Sequence, residues 1–122
     1  MPKPQRGGRT AVHRLPNHTN ATFPKNKFKN YLLNPSKDAN KSQVFKSIGY
    51  NMKNTNRLIA DITDGLKKNK ATMYAQNKYG TPAQVEMVLG ITKQQKMVTA
   101  WIFPKGSNTP RFVTAYPAKE AK

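Results

Sequence analysis

Lys41, Arg111, Thr99, Thr114, Tyr116, His13 and His18 are the side chains with the most reactive chemistry in this 122-residue chain. Cations, hydroxyls and imidazoles together suit the cleavage of RNA without a metal. RNA carries its own nucleophile, the 2′-OH beside each scissile phosphate. A protein then needs a base near that hydroxyl, an acid for the leaving 5′ oxygen and positive charge on the developing phosphorane. His13 or His18 suits the base or the acid, because imidazole titrates near neutral pH. Lys41 and Arg111 suit the charge. Thr99, Thr114 and Tyr116 can donate hydrogen bonds to phosphate oxygens, and Trp101 or Tyr79 can stack on a base.

The same residues also have plain structural readings. Lys41 can run its stem past Val44 and Phe45 into water. Arg111 follows Pro110 and suits a solvated strand edge. Thr99 and Thr114 are ordinary strand residues, Trp101 suits a core, and Tyr116 suits either role. His13 and His18 lie in a segment without periodicity and suit an exposed surface.

Several chemistries are excluded by what the chain lacks. It has no cysteine, so thiol nucleophiles, disulfides and Cys-ligated zinc are out. Its 5 acids are spread along the chain and give no carboxylate cluster for a two-metal nuclease or a glycosidase pair. There is no Gly-rich phosphate loop. No metal and no cofactor are therefore expected. No apolar run approaches the roughly 20 residues of a membrane span.

The charge points the same way. The chain has 22 Lys+Arg against 5 Asp+Glu, a net charge of +17. Ten of the cations fall in residues 1–50 and twelve in residues 51–122, so the excess is not a basic tail. A domain this cationic repels itself, and a polyanion is the partner that relieves the repulsion.

The elements that must position these residues follow from periodicity. Residues 1–14 are rich in Pro, Gly and Arg and read as a flexible basic leader; residues 15–122 read as a single domain. A helix is expected over Lys25–Leu33, entered at Pro24 and stopped by Asn34-Pro35. A second runs from about Asn40 to Ile48, with Lys41 one turn before its Val44, Phe45 and Ile48 stripe. A third starts at an Asn54 or Thr55 cap and buries Leu58, Ile59, Ile62 and Leu66, with Gly65 as a weak point. Strands are then expected at Lys70–Gln76, Ala83–Leu89, Lys96–Phe103 and Arg111–Tyr116. Helices first and strands second predict an α+β fold, with about three N-terminal helices packed on an antiparallel sheet of about four strands. Either the Val98, Ala100, Ile102, Val113 and Ala115 face is covered, leaving Thr99, Trp101, Thr114 and Tyr116 open, or Trp101, Phe103, Phe112 and Tyr116 form the core. The pattern allows both.

The order of short motifs resembles a known family. Leu15-Pro16-Asn17, Ala21-Thr22-Phe23-Pro24, Lys27-Phe28 and Tyr31-Leu32-Leu33-Asn34-Pro35 resemble its N-terminal motif. Lys41, Val44-Phe45 and Gly49 resemble its second block; Lys78-Tyr79-Gly80, Thr99-Ala100-Trp101-Ile102 and Pro110 to Tyr116 resemble its strand blocks. The family is a C-terminal toxin domain of bacterial polymorphic and contact-dependent inhibition systems, also met in phage-related proteins. It is similar to the barnase/EndoU/colicin/RelE group of metal-independent ribonucleases. The resemblance implies a monomeric toxin tip, delivered as the end of a larger protein, that cleaves RNA in the target-cell cytoplasm. Transfer RNA or another structured RNA is the expected substrate, and an acidic immunity protein the expected partner. The family-like polar positions are Lys41, Tyr79, Thr99, Trp101, Arg111, Thr114 and Tyr116. His13 and His18 fall outside them, so the resemblance implies a histidine-free mechanism with Lys41 as general acid or charge stabiliser. The alternatives are a non-catalytic nucleic-acid-binding module and a phage-related structural protein.

Overall fold

Alternating apolar and polar residues along Ala83–Leu89 and Met97–Phe103 can bury only one side of each strand, so a sheet built from them needs a covering layer. The computed structural model shows that layer and describes residues 10–12, 14–24 and 39–118. In chain order the described elements are β1 (Thr10–Val12), a 3-10 turn (His18–Asn20), α1 (Ala39–Ser47), α2 (Thr55–Lys68), β2 (Ala71–Met73), β3 (Gly80–Leu89), β4 (Gln95–Pro104) and β5 (Arg111–Pro117). The strands form one antiparallel sheet in the order β1-β2-β3-β4-β5. The fold is therefore α+β, with helices on one face of an antiparallel sheet.

Four C-terminal strands were expected, and β2 to β5 are those strands. The fifth comes from the segment read as a flexible leader: Thr10–Val12 pair with Ala71–Met73 at the sheet edge. Among the described residues there are two α-helices. The helix expected over Lys25–Leu33 lies outside the described residues.

The core lies between the helices and one sheet face. Phe45 and Ile48 of the α1 end, and Leu58, Ile62 and Leu66 of α2, pack over Ala83, Val85, Met87, Trp101 and Phe112. Helix α2 comes so close to β3 that a Cβ on Gly65 would sit 2.5 Å from the Met87 Sδ. Gly65 thus sets the approach of helix to sheet, rather than merely weakening the helix. The cap of α2 differs from the expectation: Asn54 stands at the N-cap position but makes no side-chain cap. Its Oδ1 accepts from the Asn51 N–H at 2.8 Å and its Nδ2 donates to the Gly49 carbonyl, which shapes the α1–α2 loop instead.

Tyr50 holds that loop to two other elements. Its hydroxyl donates to Asp61 Oδ2 at 2.6 Å and accepts from the Gly90 N–H at 2.9 Å, while Arg57 pairs with Asp61 at 3.0 Å. Burial, and then the bond to the Asp61 carboxylate, push the Tyr50 phenol from its ordinary 10.0 up to about 12.

The question of faces resolves against the first of the two assignments. Thr99, Trp101, Phe103 and Phe112 face the helices. Tyr116, grouped with them by simple alternation, does not follow. In β5 the register passes from Trp101↔Phe112 to Ala100↔Thr114, so Val113 is an extra residue and a β-bulge. The bulge changes the phase of the strand, burying both Phe112 and Ala115 on the helical side.

Candidate functional site

The bulge decides which polar residues share the open face. Without it, Arg111 would alternate with Thr114 and Tyr116 and point to the other side of the sheet. With it, Arg111 pairs with Ile102, Thr114 with Ala100 and Tyr116 with Val98. Those three partners lie two residues apart along β4, hence on one face. The same face takes Pro82, Gln84, Glu86 and Val88 from β3, through their pairing with Ile102, Ala100, Val98 and Lys96. Thr72 of β2 joins through its pairing with Gln84.

A directed hydrogen-bond chain crosses this face. The Tyr74 hydroxyl donates to Gln84 Oε1 at 2.9 Å, and Gln84 Nε2 donates to the Tyr116 hydroxyl oxygen at 3.0 Å. Ala100 keeps the path across β4 low enough for Gln84 to reach Tyr116. Because Tyr116 accepts from Gln84, its own proton is left to point outward, and its ring is 37% exposed. Glu86, Val98 and Tyr116 form one cross-strand row. At about 4.8 Å per strand, Glu86 and Tyr116 stand about 10 Å apart at their backbones, on either side of Val98. Among the described residues the acids are Asp61, Asp64 and Glu86; the first two lie on α2, so Glu86 is the carboxylate of this face. Lys70, Lys96 and Arg111 supply its cations.

The other expected site residues are placed elsewhere. Thr99 and Trp101, expected to position phosphate and to stack on a base, are core residues with 0% and 1% exposure. Trp101 Nε1 donates to the Thr99 hydroxyl at 2.8 Å, and that hydroxyl donates to the Val85 carbonyl at 2.8 Å. Phe23 and Phe112 close around the indole with ring centroids 5.5 and 5.4 Å away. Both residues are thereby removed from surface contact, and their assignment to the open face is corrected. Tyr79 stands at the β2–β3 loop, 67% exposed, with the Lys78 ammonium 5.2 Å from its ring centroid. Lys41 lies in α1, which packs on the helical face through Phe45; its side chain lies outside the described residues. His18 sits in the 3-10 turn on the helical side. That turn is tied to the β4–β5 loop by the Asn17 amide donating to the Asn108 carbonyl at 2.7 Å, and to α2 by the Arg14 guanidinium donating to the Lys67 carbonyl. His18 Nδ1 is buried with no hydrogen-bond partner. His13 lies outside the described residues.

Sequence reasoning missed Tyr74, Gln84 and Glu86. The signal was present for the last two: both fall on the polar phase of the Ala83–Leu89 alternation, opposite Ala100 and Val98. Among the described residues no three His, Asp or Glu side chains come together as a metal-binding group, and no helix is long and apolar enough to cross a membrane.

A family model described as a domain of unknown function (DUF6883) matches residues 14–119. No curated protein and no solved structure matches the chain.

Proposed function

The chain belongs to the DUF6883 family, and we propose that within it this domain is a metal-independent ribonuclease toxin working on the open sheet face. The observation that carries the reading is the β5 bulge, which gathers Arg111, Thr114 and Tyr116 on the face that also holds Glu86. In the proposed step Glu86 takes the proton of the 2′-OH. The freed oxygen bonds to phosphorus, the P–O5′ bond breaks, and O5′ leaves with the Tyr116 proton. Arg111 and Thr114 hold the phosphorane oxygens, where charge builds up. Gln84 fixes Tyr116 as a donor. The products are a 2′,3′-cyclic phosphate and a 5′-hydroxyl.

Of the two cations expected to stabilise the charge, Lys41 and Arg111, this reading uses Arg111, because α1 packs on the opposite, helical face of the sheet. Tyr79 remains an exposed ring for a base at the loop end. The reading keeps the biological setting: a toxin tip delivered by a larger protein, transfer RNA in the target-cell cytoplasm as substrate, and an acidic immunity protein covering the basic face.

Incubating the domain with total RNA in excess EDTA tests the reaction. The expected result is fragments ending in cyclic phosphate. Glu86→Gln and Tyr116→Phe should each cut the rate by about 100-fold or more. Intact RNA overturns the enzyme reading. Binding of RNA without cleavage would favour the non-catalytic binding module, and growth unaffected by expression in a bacterium the structural protein.

A further inference from the structure

The open face has a feature that the reaction itself does not use. Beside Gln84 lies an open cavity of about 500 Å³ lined by Tyr74, Asn77, Pro82, Gln84, Ala100 and Val113. That volume falls within the roughly 300–1,000 Å³ of small-molecule sites, and an apolar bed with a few fixed polar groups is their usual make-up. The bulge makes it: Val113, the unpaired residue of β5, is pushed onto the open side next to Ala100, where a side chain no larger than a methyl leaves the space. The Tyr74 ring is held in place by its hydroxyl bond to Gln84.

The polar groups at this cavity are mostly donors. Asn77 Oδ1 already accepts from the backbone N–H groups of Tyr79 at 2.8 Å and Gly80 at 3.2 Å. Its amide NH₂ is left for a ligand. Gln84 commits its carbonyl to Tyr74 and one N–H to Tyr116, and keeps a second N–H. On the other side of Gln84 is a smaller cavity of about 410 Å³ lined by Lys68, Lys70, Thr72 and Glu86, which suits a phosphate rather than a ring. An apolar slot with N–H donors, set in a cationic face beside the reacting groups, fits a planar ring with carbonyl acceptors on a polyanionic chain.

Resting on the ribonuclease reading, we propose that this cavity receives one unpaired RNA base next to the scissile phosphate and prefers guanine or uracil. Their ring carbonyls accept from Asn77 and Gln84, whereas the amino group of adenine would find no acceptor, because both amide oxygens are already taken by Tyr74, Tyr79 and Gly80. Because Gln84 touches both the cavity and Tyr116, a seated base also sets the reach of its own phosphate to the Tyr116 hydroxyl.

The test is binding of 2′-O-methyl RNA hexamers, which lack the attacking hydroxyl, followed by fluorescence anisotropy. Hexa-adenylate is compared with hexamers carrying one guanine, one uracil or one abasic position. The protein should bind the guanine or uracil hexamer about 5-fold or more tightly than the all-adenine and abasic ones. Ala100→Leu, which fills the cavity, should erase that difference. Asn77→Asp, which keeps the oxygen that accepts from the Tyr79 and Gly80 N–H groups and removes only the amide NH₂, should shrink it. Equal binding of all four hexamers, or an unchanged preference in both variants, overturns the assignment. Cleavage of total RNA with no base preference at the fragment ends also overturns it, while leaving the nuclease reading intact. Base-selective binding by a protein that cleaves nothing supports the cavity and removes the nuclease.

Discussion

Thr99 and Tyr50 show how far a side chain's chemistry depends on what it faces. A threonine before an alternate tryptophan on a strand has the right donors for a phosphate, yet here its hydroxyl is spent inside the core. It accepts from the Trp101 indole and donates to the Val85 carbonyl. Thr99→Val keeps the shape and leaves the buried Trp101 N–H without an acceptor. Urea unfolding should show a loss of about 1–3 kcal/mol. Any RNA cleavage per folded molecule should stay near the parent level, and a variant of full stability but no activity would return Thr99 to the site. Tyr50 gives a pH prediction. Its phenol ordinarily ionises at 10.0 and is pushed up to about 12 in the fold, so folding favours the protonated form. That contribution is whole below about pH 10 and is lost as pH rises through 12. Two units correspond to about 2–3 kcal/mol at most. Denaturation between pH 9 and 12 should show the parent losing stability over this window and Tyr50→Phe losing much less, since it has no proton to give up. Parallel curves would mean that the hydroxyl is not the link between Asp61 and Gly90.

At the scale of elements, Gly65 is where α2 and β3 meet. Replacing glycine by alanine inside a helix ordinarily stabilises it by about 1 kcal/mol. Here the added methyl meets Met87 at Sδ and Cβ, 2.5 and 3.0 Å away, and the Cβ cannot swing aside as the thioether can. Gly65→Ala should therefore destabilise by about 1–3 kcal/mol. In a Met87→Ala background the Sδ and Cε contacts are gone and only the Cβ contact at 3.0 Å remains, so the same change should cost less, and a double-mutant cycle by chemical denaturation measures the difference. Additive effects would disprove the close contact. These elements were largely legible beforehand. The stripe of Leu58, Ile62 and Leu66 marks a helix whatever surrounds it, and α2 runs Thr55–Lys68 as expected. The alternation in β3 and β4 likewise fixed two long strands. What sequence could not show was the phase of β5. In Arg111–Tyr116 both alternating sets contain apolar residues, so no periodicity exposes an extra residue at Val113. Only pairing with β4 reveals the bulge. The same ambiguity hid the face of Trp101, and with it which half of the expected site was open. Thr10–Val12 was illegible for another reason: three residues carry too little pattern, and their strand exists through the edge that β2 offers.

The whole molecule carries +17 and must hold that charge together. Salt acts on this in two opposed ways. Screening with a Debye length of about 10 Å at 0.1 M weakens the self-repulsion, so the melting temperature should rise as salt is added. Binding of RNA should fall over the same range, because each neutralised phosphate releases counterions. The steepness of that fall reports where the RNA lies. Lys70, Lys96 and Arg111 mark the open face. If a short single strand is gripped there, the logarithm of its affinity should drop with the logarithm of salt with a slope of about 2. A grip by cations all over the surface would be far steeper. Arg111→Ala separates the two, since it should lower the slope by about 0.7 if the guanidinium holds one phosphate. Anisotropy titrations of a 2′-O-methyl hexamer at several salt concentrations measure it. A steep slope that Arg111→Ala leaves unchanged would move the RNA off the bulged strand, and the proposed chemistry with it.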